Sequence, residues 1–167
     1  KGQVVQMPAW IPGSYLIRDF SKHIESIEAF SSGPTKKKID LERIDNDHWL
    51  LPPMDSAVDI LTTVYAFDNS VRAAYLDTER GFFNATSLCL QVKGQEHLPC
   101  SLAITSPEEA FADHWSVQTS LRSAKTDERG FGFYLAQNYD DLIDHPVAMG
   151  EFQIVRWSAN NTSHSMA

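Results

Sequence analysis

Six histidines, at positions 23, 48, 97, 114, 145 and 164, are the first residues to test for metal chemistry. A helical zinc site of the His-x-x-x-His kind needs two imidazoles four residues apart, so that both face one ion. No two of these histidines have that spacing. Three follow an aspartate directly, as Asp47-His48, Asp113-His114 and Asp144-His145. Neighbours on a strand point to opposite faces, so an adjacent pair is a poor chelate. Turn polarity and surface hydrogen bonding explain these pairs, although a site assembled from separate loops would leave no spacing signal. We expect no metal site in this chain.

Nucleophilic hydrolysis is no better supported. There is no Gly-x-Ser-x-Gly elbow, and Gly13-Ser14 reads as a turn before a strand. Cys89 and Cys100 lack the context of a catalytic thiol and lie in predicted strands joined through Gly94. They read as two free, partly buried thiols, with a cross-strand disulfide as the alternative. Glu108-Glu109 and Asp140-Asp141 stand at predicted helix starts, where acids favour the positive end of the helix dipole. The aromatics Trp10, Tyr15, Phe20, Trp49, Trp115 and Trp157 are spread along the chain. Most read as core anchors; an exposed subset would suit a sugar or a partner domain.

The elements that must position these residues are mostly strands. Val58, Ile60, Thr62, Val64 and Ala66 share one face of a strand, with Leu61, Tyr65 and Phe67 on the other. A strand apolar on both faces is expected to be central and covered on both sides. Leu88, Leu90 and Val92 form an inward row, followed by Cys100, Leu102 and Ile104, then Trp115, Val117, Thr119 and Leu121. Further strands run from Phe131 to Leu135 and from Phe152 to Trp157. Glu-Arg-Gly-Phe occurs twice, at Glu79–Phe82 and Glu128–Phe131, and reads as two turns using glycine at positive φ. Asn138, Asp140 and Asp141 start a helix of one or two turns that Pro146 stops, and a second short turn runs from Pro107 to Ala112. The predicted fold class is all-β, an antiparallel sandwich or saddle with one or two short helical turns. Residues 1–157 form this domain and 158–167 a polar tail or the start of a linker. The sequons at Asn84, Asn160 and Asn161 are read as chance.

Composition narrows the function. The 167 residues suffice for one domain with a core. A net charge of −8 and a pI near 5.1 argue against nucleic acid, whose phosphates demand Lys and Arg. Lys36-Lys37-Lys38 after Gly33-Pro34 reads as a solvated loop tip. No apolar run approaches the ~18 residues of a membrane span, and no signal peptide is visible. The expectation is a soluble chain, cytoplasmic rather than periplasmic, without a membrane partner. Lys1 in place of an initiator Met points to an excised or processed piece.

Three segments carry a family resemblance. They are Pro8–Arg18, reading PAWIPGSYLIR; Val64–Ser87, reading VYAFDNSVRAAYLDTERGFFNATS; and Tyr139–Phe152, reading YDDLIDHPVAMGEF. In this order the chain resembles the N-terminal domain of the M61 (glycyl aminopeptidase) zinc peptidases, over about Met7 to Gly150. The resemblance rests on Trp10, Pro12, Gly13, Tyr15, Arg18 and Asp19, then on Tyr65, Asp68, Arg72 and Asn84. Such peptidases carry His-Glu-x-x-His in a separate, later domain, and that pentapeptide is absent here. The resemblance therefore implies a non-catalytic piece, with zinc in the catalytic domain of the same parent chain and none held by this one. It implies a domain that packs on that catalytic domain and walls the cleft of a peptide substrate with a small N-terminal residue. A stand-alone β-sandwich binding carbohydrate or a protein partner is the alternative.

Within the resemblance, His145, Pro146, Val147, Met149, Gly150 and Glu151 are the candidates for lining the cleft, on an exposed loop with Val147 or Met149 in an apolar patch. Family members often place an acid after the Val of this segment; Ala148 stands there, and Glu151 follows Gly150. An α-amine-binding role for that acid is thus not supplied at position 148. Arg18 and Arg72 are expected to pair with carboxylates or backbone carbonyls, because an unpaired buried charge is costly. The family's usual first strand is missing before Trp10, which predicts an unpaired sheet edge and a homodimer through that edge or the docking face.

Overall fold

Short alternating runs separated by turns build several small antiparallel sheets. The computed structural model describes residues 2–167. In chain order the strands are β1 (Gln3–Gln6), β2 (Ile24–Ser31), β3 (Lys38–Ile39), β4 (Glu42–Arg43), β5 (His48–Leu51), β6 (Val58–Val64), β7 (Ala74–Leu76) and β8 (Arg80–Phe83). They continue as β9 (Gln91–Val92), β10 (Cys100–Ile104), β11 (Ser116–Thr119), β12 (Arg122–Thr126), β13 (Gly132–Ala136), β14 (Val147–Gly150), β15 (Val155–Ala159) and β16 (Thr162–Met166). The helix α1 (Tyr139–Ile143) and 3-10 turns at Phe20–His23, Ala85–Ser87 and Ala110–Ala112 complete the regular structure among the described residues. The fold is all-β. Its sheets have strand orders β4-β5-β1-β9, β3-β2-β6, β11-β14-β8-β7, β10-β13-β12 and β15-β16. No helix is long and apolar enough to cross a membrane.

Two apolar clusters hold these sheets. One gathers Val5, Met7, Ile11, Phe20, Trp49 and Leu51. The other gathers Phe83, Trp115, Val117, Tyr134, Leu142 and Val147. Ala73 belongs to the first and Ala74 to the second, so consecutive residues join the two. In the predicted inward row Trp115, Val117 and Leu121 are buried and Thr119 is half-buried, and Ile104 is buried with Cys100 and Leu102 packed at its margin. Both cysteines are free and half-buried. Lys36 and Lys38 stay solvated, paired with Asp59 and Glu28.

Four expectations change. First, β6 is an edge strand, bonded only to β2. Its row Leu61, Thr63, Tyr65 and Phe67 is exposed, and among the described residues an aromatic ring stacks on it only at its end, where Tyr75 meets Phe67. Second, most of Ser87–Val92 is not a strand. The Asn84 carbonyl accepts from the Ser87 N–H (2.9 Å) and hydroxyl (2.7 Å), which curls Ala85–Ser87 into a 3-10 turn.

Third, only one Glu-Arg-Gly-Phe is a positive-φ turn. Gly130 has φ 88°, whereas Gly81 lies inside β8. A Cβ on Gly81 would stand 2.7 Å from Met149 Cε, the mobile end of that side chain, so neither backbone conformation nor fixed packing demands glycine there. Fourth, the polar segment 158–167 contains regular structure, the strand Thr162–Met166. Asn160 (φ 50°) and Asn161 (φ 59°) are both left-handed, as a two-residue hairpin turn of the twist-compatible kind requires. They close the hairpin β15–β16. No inward row forms over Phe152–Trp157: Val155, Arg156 and Trp157 are exposed.

Candidate functional site

The His145–Glu151 segment begins at the end of α1. Asn138 caps that helix, its side chain accepting from the Asp141 N–H at 2.8 Å. Asp141 Oδ2 in turn accepts from the Gln137 N–H at 2.8 Å. The other oxygen, Oδ1, lies 3.3 Å from His145 Nε2, and His145 Nδ1 lies 2.6 Å from Ser120 Oγ. Serine, histidine and aspartate therefore stand in a row. The row ties the end of α1 to the β11–β12 connection. The Leu121 N–H, next to Ser120, is taken by Thr119 Oγ1 at 3.2 Å. The carboxylate beside His145 is Asp141 of α1 and not its neighbour Asp144; His145 lies just past the helix and folds back over its end.

After the exposed Pro146, the segment is a strand and not a loop. β14 pairs with both β11 and β8, so it is central in its sheet. Val147 is 0% exposed and belongs to the core. Met149 is half-buried, Gly150 is buried and Glu151 is exposed. Val147 and Met149 share the face of β14 that packs on the core, Val147 within it and Met149 at its margin, and Ala148 takes the other face. Ala148, Met149 and Phe152 line a cleft of about 240 Å³ together with Asn69, Ser70 and Val71. Two of the three resemblance segments thus meet there. A second cleft, of about 590 Å³, lies between Trp10 and Pro12 on one side and Asn138, Asp140, Asp141 and Asp144 on the other. It joins the first segment to the third.

The motif residues divide into those the fold holds and those it does not. Asn84 is buried and donates from Nδ2 to the Val71 carbonyl at 2.6 Å, pinning the Asp68–Arg72 loop. Asp68 accepts from the Ser70 N–H at 3.0 Å. Asp19 sits in the left-handed region (φ 36°) before a 3-10 turn and accepts from the Ser21 hydroxyl at 3.1 Å. Gly13 turns the chain at φ 74°. Arg18 and Arg72 do not pair as expected. Arg18 Nε is buried without a hydrogen-bond partner, and Arg72 is exposed with no ion pair among the described residues. Tyr15, Leu16, Ile17, Trp10 and Tyr65 are all exposed.

Titration chemistry is muted. Burial pushes the Cys89 thiol up to about 11, with the nearby Cys100 adding to the effect. Burial likewise raises Tyr139, whose hydroxyl donates to the Cys89 carbonyl at 2.7 Å. Both groups are therefore protonated at neutral pH and offer no nucleophile. Asp45, Asp47 and His48 form the one three-member cluster of potential metal ligands among the described residues. His48 Nδ1 lies 3.0 Å from Asp45 and 2.8 Å from Asp47. Adjacent Asp47 and His48 do meet, contrary to strand geometry, because Asp47 lies in the turn before β5. Asp45 Oδ1 also accepts the N–H groups of Asp47 and His48, and these bonds hold its pKa down at about 2. That donor set closes a turn on the surface. It does not fit a peptidase zinc, which sits between ligands from separate turns with a position open to water.

Comparison with known proteins bears on this geometry. The crystal structure of an aminopeptidase N family protein from Idiomarina loihiensis superposes with a TM-score of 0.90 and 43% sequence identity. The match covers 98% of this chain and 27% of that one, so this chain spans about a quarter of its solved relative. No curated protein sequence matches. The family model described as the peptidase M61 N-terminal domain matches residues 1–151, which include all three motif segments up to Glu151. With most of the chain so matched, it belongs to the peptidase M61 N-terminal domain family.

Proposed function

We propose that this chain is the non-catalytic N-terminal domain of a zinc aminopeptidase that favours small N-terminal residues such as Gly or Ala. It packs on the catalytic domain of the same parent chain and walls one side of the peptide cleft. The observation that carries this reading is the family match over residues 1–151, joined to the 27% coverage of a longer aminopeptidase-family chain. The outward-facing Trp10, Tyr15, Leu16 and Ile17 support it, since contiguous exposed apolar side chains mark surfaces that a partner covers. The wall itself is best assigned to Ala148, Met149 and Phe152, which face Asn69–Val71 across a cleft. Val147 is withdrawn from it by burial.

Zinc bound in the separate domain would polarise the scissile carbonyl and activate a water. No residue of this chain is assigned to that metal. The coding sequence after Ala167 tests the proposal. A His-Glu-x-x-His motif is expected there, with stoichiometric zinc in the purified parent protein. A parent protein with neither motif nor zinc would contradict it.

A further inference from the structure

The hairpin β15–β16 is an amphipathic ribbon whose apolar face meets nothing. Its register is unbroken from Val155↔Met166 to Ala159↔Thr162. Side chains alternate across a strand, so Val155 and Trp157 share one face with Met166 and His164, while Arg156, Ser158, Ser163 and Ser165 take the other. Val155 is 55%, Trp157 45% and Met166 61% exposed. Trp157 and His164 stack on each other at 5.4 Å and 13°, a cross-strand pair open to solvent on its outer side. The strands pair only with each other, which leaves both outer edges open. Edge protection is slight. The strands contain no proline, no bulge and one formal charge, Arg156.

A lone two-stranded hairpin is marginal in water, because it buries too little apolar surface to offset its ordering. The Asn160-Asn161 turn encodes the ribbon locally, and the fold supplies no layer for it. The family match stops at residue 151, before the hairpin begins. The superposed relative nonetheless shares 98% of this chain, and roughly three quarters of its own length lies outside the match.

We propose that the Val155–Trp157–His164–Met166 face and the open edges of this hairpin are the docking surface for the part of the parent chain that follows Ala167. That part adds strands to the ribbon and covers its apolar face, as strand addition does at other exposed edges. This inference rests on the accessory-domain reading and names the surface that the reading leaves open.

Amide hydrogen exchange on the 167-residue chain and on the full parent chain tests it. In the shorter chain, residues 155–166 are expected to exchange close to the unstructured rate. In the parent they should be slowed on the order of 100-fold, as buried ladder amides are. A parent variant carrying Trp157→Ser and Met166→Ser should lose that slowing, while the amides of β14 stay protected and report an intact fold. Equal exchange of the hairpin in both chains would overturn the proposal. So would protection in the shorter chain that rises with its concentration, which would mean that a second copy covers the face. Peptidase turnover separates the two ideas: an active parent with an unprotected hairpin defeats the docking surface alone. A protected hairpin in a parent without peptidase activity defeats the accessory-domain reading alone.

Discussion

Pro8–Arg18 and Tyr139–Gly150 face each other across the same 590 Å³ cleft, yet the chain treats them differently. Tyr139–Gly150 is held from all sides. Asn138 caps its helix, His145 is tied to Ser120 and Asp141, and Val147 is fully buried in a central strand. Pro8–Arg18 is anchored by the buried Ile11 and by the Arg18 N–H bonded to the Ala9 carbonyl. Beyond these anchors it turns its large side chains outward, with Tyr15 fully and Ile17 85% exposed. Leaving several large apolar groups in water forgoes about 1.5–3 kcal/mol of burial for each. A residue the chain holds serves the fold. A residue it leaves out is free for the partner surface of the proposed function.

Substitutions on the two sides should break or sharpen this contrast. Val147→Asp places an unpaired charge in the core, and it should cost about 4 kcal/mol or more, enough to unfold a marginally stable domain. Denaturant unfolding reads this directly, and a variant that unfolds like the parent sequence would show β14 to be less fixed than described. Tyr139→Phe keeps the ring and removes one hydrogen bond, leaving the Cys89 carbonyl without its donor. The expected loss is about 1–2 kcal/mol by the same measurement. Tyr15→Ser should change stability by no more than about 0.5 kcal/mol, because the side chain touches only solvent. In the parent chain the same substitution should lower peptidase activity. A large stability loss from Tyr15→Ser would erase the contrast.

Much of the held side was legible in the sequence. Asn138, Asp140 and Asp141 announce the start of α1, and the alternation of Trp115, Val117 and Leu121 announces a buried row. The tie between Ser120 and His145 was not legible, because it joins residues 25 apart and no local spacing encodes it. The edge position of β6 was also hidden. A strand apolar on both faces reads the same whether its cover lies within this chain or in a partner. The hairpin was legible: Asn160-Asn161 stands between alternating residues, and asparagine tolerates the left-handed backbone that a two-residue hairpin turn needs. The missing partners of Arg18 and Arg72 limit the rule that such charges pair within one domain.

The most direct test of the accessory-domain reading is a peptidase assay on two pure proteins, the 167-residue chain and the full parent chain, with glycyl and alanyl anilides and a zinc determination on each. The parent is expected to hold stoichiometric zinc and to turn over both substrates, and the 167-residue chain to do neither. Stoichiometric zinc together with turnover by the 167-residue chain alone would contradict the reading.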